Sequence, residues 1–288
     1  MRIYLIGVFI GLFCWQMSGF AQDTEYNSLL WEIKGNGLKQ TSYLYGTIHV
    51  IPKDSFFIDA PVSKRLKKAD RLVMEMKLNM GAMISAMRAM MLPKDQTLDQ
   101  FLTEAEMQSV RSFMVDSISQ PLPAFEKIKP LMVSEHFSTQ YCMGGEQESY
   151  EMYFSRQFKK MKKPISGLET AKEQMKYLDG VSMDDQIEGL LQIVNTPEEV
   201  CKQYDQMLAL YRQQRLGDLL TLTAGEETLE ESLDGLLSER NENWIPELEK
   251  MMKKESIFIA VGAAHLPGEN GVIELLRAAG YKLKPIIK

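Results

Sequence analysis

Basic residues are in deficit in this sequence: 33 lysines and arginines stand against 39 acidic residues, a formal net charge of −6. Such a chain has little attraction for a phosphate backbone, and no basic block is present, so nucleic acid is not an expected partner. After Trp15 no apolar run approaches the roughly 20 residues of a membrane-spanning helix. Internal repeats of solenoid length and low-complexity tracts are also missing, which excludes a repeat architecture. Only three cysteines occur. Cys14 sits in an apolar leader, so Cys142 and Cys201 remain, either as one disulfide or as two unrelated thiols. Histidine is equally scarce, confined to His49, His136 and His265.

What is present begins with that leader. Arg2 gives a short basic start, Ile3 to Trp15 is almost uncharged and apolar, and Ser18-Gly19-Phe20-Ala21 offers small residues where a signal peptidase cuts. Residues 1–21 therefore read as a signal peptide, and the protein as periplasmic or secreted, with an uncleaved membrane anchor the alternative. Cys14 lacks the small residues that precede a lipidated cysteine. Residues 22–288 are at the upper end of what one core supports, so one large domain with inserted helical parts is expected.

Strand signals lie at the two ends of the chain. Leu30-Trp31-Glu32-Ile33-Lys34 alternates, Gly35-Asn36-Gly37 supplies a turn, and Thr41 to Gly46 runs back as a hairpin. Leu72 to Met76, Pro164 to Leu168, Ser256 to Val261 and Tyr281 to Ile287 read as further strands. Helix starts occur at Asp59 with Pro61, at Thr103 with Glu106, and at Thr196-Pro197-Glu198-Glu199. Another helix begins at Asn270 or Gly271 and ends at Gly280. The pattern predicts an α/β fold: a mixed central sheet built from N- and C-terminal strands, flanking helices, and helical insertions at about 80–160 and 181–254.

Two of the three histidines occupy matching contexts. Tyr43-Leu44-Tyr45 leads into Gly46-Thr47-Ile48-His49, and Ile259-Ala260-Val261 leads into Gly262-Ala263-Ala264-His265. Each is an apolar strand, a glycine that allows close backbone approach, two small or apolar residues and a histidine. Ligands collect at such strand ends in open α/β sheets. If the two strands are neighbours, both imidazoles can enter one cleft; otherwise each is a structural histidine. His136 has no such motif and reads as structural or surface. Glu75 is out of place in Leu72-Val73-Met74-Glu75-Met76. It either faces solvent or is buried and needs a cation, a metal or strong donors. Met80, Met83, Met87 and Met90 or Met91 recur at helical spacing, as a core-facing stripe or as an adaptable wall for a peptide.

Five stretches together resemble the TraB/PrgY/GumN family, which includes the Tiki proteases. They are Tyr-Leu-Tyr-Gly-Thr-Ile-His-Val at 43–50, Ala-Asp-Arg-Leu-Val-Met-Glu-Met around 70–77, Gly-Leu-Glu-Thr ending at Thr170, Arg-Asn-Glu-Asn-Trp at 240–244, and the segment 257–284 with Val-Gly-Ala-Ala-His-Leu-Pro-Gly-Glu-Asn-Gly-Val. The resemblance implies a fold like that of erythromycin esterases and ChaN-like proteins. It implies an active site at His49, His265 and Glu75, and extends to Glu169, Arg240 and Asn241.

As chemistry, His49, His265 and Glu75 would hold a divalent ion (manganese, cobalt, zinc or iron) whose bound water attacks a carbonyl. Glu169 would take the proton, and Arg240 would pair with a carboxylate or stabilise an oxyanion. Without a metal, one histidine would act as general base oriented by Glu75. The expected function is an exported hydrolase of peptides, or less readily esters. The alternative is a non-catalytic protein that sequesters a peptide or small ligand in the same cleft.

Overall fold

A computed structural model describes residues 26–118, 124–178, 180–223 and 227–287. The leader read at 1–21 lies outside them. Along the chain come β1 (Leu30–Gly35), β2 (Ser42–Thr47), β3 (Ile51–Pro52), α1 (Ala60–Lys68), β4 (Arg71–Met76), α2 (Met80–Ala89), α3 (Glu104–Ser117) and α4 (Pro130–Ser138). Next are β5 (Gln147–Glu148), α5 (Tyr150–Lys160), β6 (Ile165–Glu169), α6 (Ala171–Leu178), α7 (Met183–Asn195) and α8 (Pro197–Arg212). Last are α9 (Leu216–Thr223), α10 (Glu227–Met252), β7 (Ile257–Gly262), α11 (Val272–Ala278) and β8 (Tyr281–Pro285).

These elements form two compact units. Among the described residues, one takes Asn79–Gln147 and Ala171–Leu208; the other takes 26–78, Glu148–Thr170 and 209–287. The sheet unit therefore includes α5, α9 and α10, and the helical unit is shorter than the segments 80–160 and 181–254 read from periodicity. Helical periodicity marks a helix without saying which core it packs on.

The sheet unit carries a mixed six-stranded sheet in the order β6-β4-β7-β2-β1-β8. Strands β6, β4, β7 and β2 run parallel, while β1 is antiparallel to both β2 and β8. The strands at the two chain ends do meet in one sheet. Central β2 and β7 are buried along their whole length, as continuous apolar runs in parallel sheets are. Edge strand β8 alternates instead, with Lys282 and Lys284 exposed, a charged rim that discourages further pairing. The hairpin turns as its residues dictate: Gly35, Asn36 and Gly37 all take positive φ, at 88°, 45° and 74°.

In the helical unit Leu98, Val110, Val133, Phe137, Leu190 and Ile193 form the buried core. The Thr103–Glu106 capping box starts α3 as read. Cys142 and Cys201 form a disulfide across a separation of 59 residues, and closing a loop of that span contributes about 4 kcal/mol on chain entropy. The methionine stripe does not face a core. Met80 is 72% exposed and Met87 68%, and no residue of α2 is fully buried. The half-buried face of α2 carries Ala82, Ser85, Ala86 and Ala89 instead. Small side chains let this helix lie close to α6, and the long ones point out.

Candidate active site

Four strands end side by side at one edge of the sheet, and each delivers a polar side chain there. In strand order these are Glu169 at the end of β6, Glu75 near the end of β4, His265 just past β7 and His49 just past β2. The parallel register places Thr47 beside Gly262 and Met76 beside Glu169. This is the carboxyl edge, where parallel α/β sheets bind ligands. Gly46 is needed for closeness: a Cβ there would lie 3.1 Å from the Ala263 Cα and 3.2 Å from the Leu266 side chain. The Tyr211 hydroxyl fixes the same spot by donating to the Gly46 carbonyl at 3.0 Å.

Arg240, on α10, joins three of the four. Its Nη2 donates to Glu75 Oε2 at 2.7 Å and to Glu169 Oε2 at 3.0 Å. Nε donates to Glu169 Oε1 at 2.9 Å, and Nη1 lies 3.1 Å from His265 Nε2. One helical turn on, Trp244 donates from Nε1 to Glu169 Oε1 at 2.7 Å, and its ring packs on the His265 ring at 4.4 Å. The guanidinium also sits over that indole at 5.1 Å. Glu75 is buried, the second of the two placements its strand context left open, and its second oxygen accepts the Gly262 N–H at 2.7 Å. Burial would raise the Glu75 carboxyl, but His265, His49, Arg240 and the Gly262 N–H together bring it down to about 2. Burial would lower Arg240, and its two carboxylates outweigh it, holding the guanidinium above its ordinary value.

His265 is fully buried, and its partners settle its tautomer. The Asn241 amide nitrogen donates to the carbonyls of Asn270 at 2.8 Å and His265 at 3.4 Å, so its oxygen must be the acceptor facing His265 Nδ1 at 2.7 Å. Nδ1 carries the proton and Nε2 accepts from Arg240. Burial, with Arg240 and His49, pushes this imidazole down to about 3 against the pull of Glu75, so it stays neutral at ordinary pH. Acid should therefore weaken the fold. An unfolded chain protonates this histidine near 6.5 and Glu75 near 4.5, whereas the folded chain resists until about 3 and about 2. Stability conferred by the folded values is lost as pH falls through those two windows. Urea midpoints should fall as pH drops from 6.5 to 4.5, with His265 contributing up to about 1.4 kcal/mol per pH unit. His265→Gln should flatten that upper window; equal slopes in the two proteins would contradict the buried neutral imidazole.

His49 is held differently. Its side chain is 44% exposed, and Nδ1 lies 3.2 Å from Glu151 Oε1, at the start of α5. The same oxygen accepts the Thr47 hydroxyl at 2.7 Å, and Glu151 Oε2 accepts the Ser149 hydroxyl at 2.9 Å. Ser149 also caps α5 through the Met152 N–H.

Of the residues read from sequence, Glu75, Glu169, Arg240, Asn241 and His265 are in direct contact, whereas His49 stands at the end of neighbouring β2 and is held by Glu151. His136 belongs to the helical unit. Glu151 and the ring of Trp244 were not foreseen as site residues. Nothing local separates Glu151 from the chain's other acidic residues; Trp244 was visible only as the fourth residue after Arg240.

These donors do not fit a metal ion in this arrangement. His265 Nε2 and Glu75 Oε1 lie 3.8 Å apart, close enough to share an ion. Yet that nitrogen faces Arg240, both Glu75 oxygens face N–H donors, and His49 turns Nδ1 to Glu151. Among the described residues no three His, Cys, Asp or Glu side chains are grouped to hold a metal. A guanidinium supplies the positive charge instead.

The chain is 25% identical over 320 residues to a zebrafish (Danio rerio) protein named metalloprotease TIKI1, an alignment covering 91% of this chain. The chain spans 64% of that relative's length. No solved structure gives a significant match. The family model for TraB/PrgY/gumN proteins matches residues 29–285, the whole span from the first strand to the last. The chain belongs to the TraB/PrgY/gumN family.

Proposed function

We propose that this protein is an exported hydrolase of peptide bonds in which His49 is the general base. The observation that carries this is the contrast between the two motif histidines on one sheet edge. His265 is sealed, neutral and bound to Arg240, whereas His49 is nearly half exposed and can meet a substrate. In this reading the His49 imidazole takes a proton from the water that attacks the carbonyl carbon, then returns it to the departing amine as the C–N bond breaks. Glu75, Arg240, Glu169 and His265 form a rigid charged frame that holds β4, β6 and β7 beside it. The name of the zebrafish relative supports hydrolysis and a peptide substrate. That name also implies a metal, which the donors here do not fit, and His49 can take the proton without one. The apolar leader and the Cys142–Cys201 bond support export, since such bonds persist in oxidising compartments. Among the described residues no helix is long and apolar enough to cross a membrane.

The test uses protein purified from the extracytoplasmic fraction, where its intact mass should correspond to a chain starting at Gln22. Incubated with a peptide library and followed by mass spectrometry, it should give time-dependent cleavage products, and these should persist in EDTA. Cleavage that appears only with added manganese, cobalt, zinc or iron would replace this step with a metal-assisted one. Peptide retention without any product would favour the sequestering protein instead.

A further inference from the structure

We infer that Glu151 is the positioning residue of the His49 base: it fixes the proton on Nδ1 and so leaves Nε2 as the nitrogen that accepts the proton from water. The inference rests on the hydrolase reading and extends it to a residue outside both Gly-x-x-His motifs.

The geometry leads there from three directions. A carboxylate oxygen only accepts, so the 3.2 Å contact between Glu151 Oε1 and His49 Nδ1 requires the hydrogen on Nδ1. A free neutral imidazole in water prefers its proton on Nε2, the wrong nitrogen for this edge of the ring. The protein must therefore specify the other tautomer, and a hydrogen bond at one nitrogen is how that choice is made.

The carboxylate is itself held in place. Thr47, two residues before His49 in the same motif, donates to the oxygen that His49 uses. Ser149, which caps α5, donates to the other oxygen. Glu151 lies in the first turn of α5, where the helix dipole favours a negative charge. Its side chain is only 15% exposed, so solvent does not compete freely for these bonds. The position of Thr47 in the motif thus gains a reason: it tethers the carboxylate that orients the histidine two residues later.

A parallel at the second motif strengthens the case. His265 also commits Nδ1 to an oxygen, that of Asn241, and turns Nε2 inward. Each motif histidine is thus oriented through Nδ1 by a side chain from a helix, α10 for one and α5 for the other. Asn241 is neutral and serves a sealed ring. Glu151 is a carboxylate and serves the exposed one, where stabilising a developing imidazolium is useful.

The test reads the tautomer directly and activity separately. With three histidines in the chain, long-range ¹⁵N–¹H NMR resolves each ring, and the pattern missing from His49→Ala identifies His49. In the neutral ring the wild type should show the Nδ1–H pattern. Glu151→Ala should shift His49 towards Nε2–H and lower kcat by about 10- to 100-fold, part of the 10²–10⁴ that a positioned base supplies, with KM nearly unchanged. Glu151→Gln can keep all three bonds, because its amide oxygen still accepts from Thr47 and His49 while its NH₂ donates to Ser149. It should retain the Nδ1–H pattern and recover most of kcat. An Nδ1–H pattern that survives in Glu151→Ala would overturn the inference, as would loss of kcat with no change of tautomer. If the tautomer shifts as stated but no peptide is ever cleaved, the positioning role stands and the hydrolase reading fails.

Discussion

Replacing Arg240 by methionine should destabilise the protein by about 3–5 kcal/mol, the range seen when one partner of a buried ion pair is removed. The size follows from what is left behind. Glu75 and Glu169 would become buried carboxylates that have lost their shared counter-ion, and His265 Nε2 would lose its donor. Methionine fills similar volume, so little of the loss would come from a cavity. Lysine at this position should fail too, because a point charge cannot bridge two carboxylates and an imidazole in the geometry of a planar fork. Urea unfolding at neutral pH measures the effect. The triple variant Arg240→Met, Glu75→Gln, Glu169→Gln removes the orphaned charges along with the cation and should recover part of the loss. A cost below about 1 kcal/mol for the single variant would mean that solvent reaches these carboxylates and the cluster is no frame.

Removing the His49 ring should do the opposite. His49→Ala is expected to lower kcat by at least about 100-fold, the lower end of what a general base contributes. Its stability should change by about 0.5 kcal/mol or less, because the side chain is 44% exposed. His265→Ala provides the contrast. It opens a cavity against Trp244 and orphans Asn241, so about 2–4 kcal/mol of stability should go with it. Peptide cleavage and thermal melts on both variants separate the two roles. Wild-type kcat in His49→Ala would remove His49 from the reaction.

Much of this arrangement could be read before any coordinates, for local reasons. The turn at Gly35-Asn36-Gly37, the continuous apolar run of β7 and the two Gly-x-x-His segments are each visible in a few adjacent residues. The meeting of both chain ends in one sheet follows from where the strands sit, while the pairing of β2 with β7 had to come from the structure. Glu75 announced itself by being charged inside an apolar strand. Contacts made from helices did not. Arg240 is 165 residues from Glu75, and its residue type alone does not say whether it meets one carboxylate, two, or an oxyanion. Glu151 looks like any glutamate in the first turn of a helix. The methionines of α2 were ambiguous for a related reason: spacing defines a face, and only packing decides whether that face or the one lined by alanines turns inward.

The sheet order has a consequence for how the protein is made. The N-terminal hairpin β1–β2 is flanked on both sides by β7 and β8, the last strands to be synthesised. During translation and any threading across a membrane, both its edges stay open until residues near the C-terminus arrive. Pairings this distant in sequence form slowly, and open strand edges recruit other chains. A chain truncated before Ile257 would therefore be an aggregating fragment, and a holdase that covers the hairpin would decide the yield.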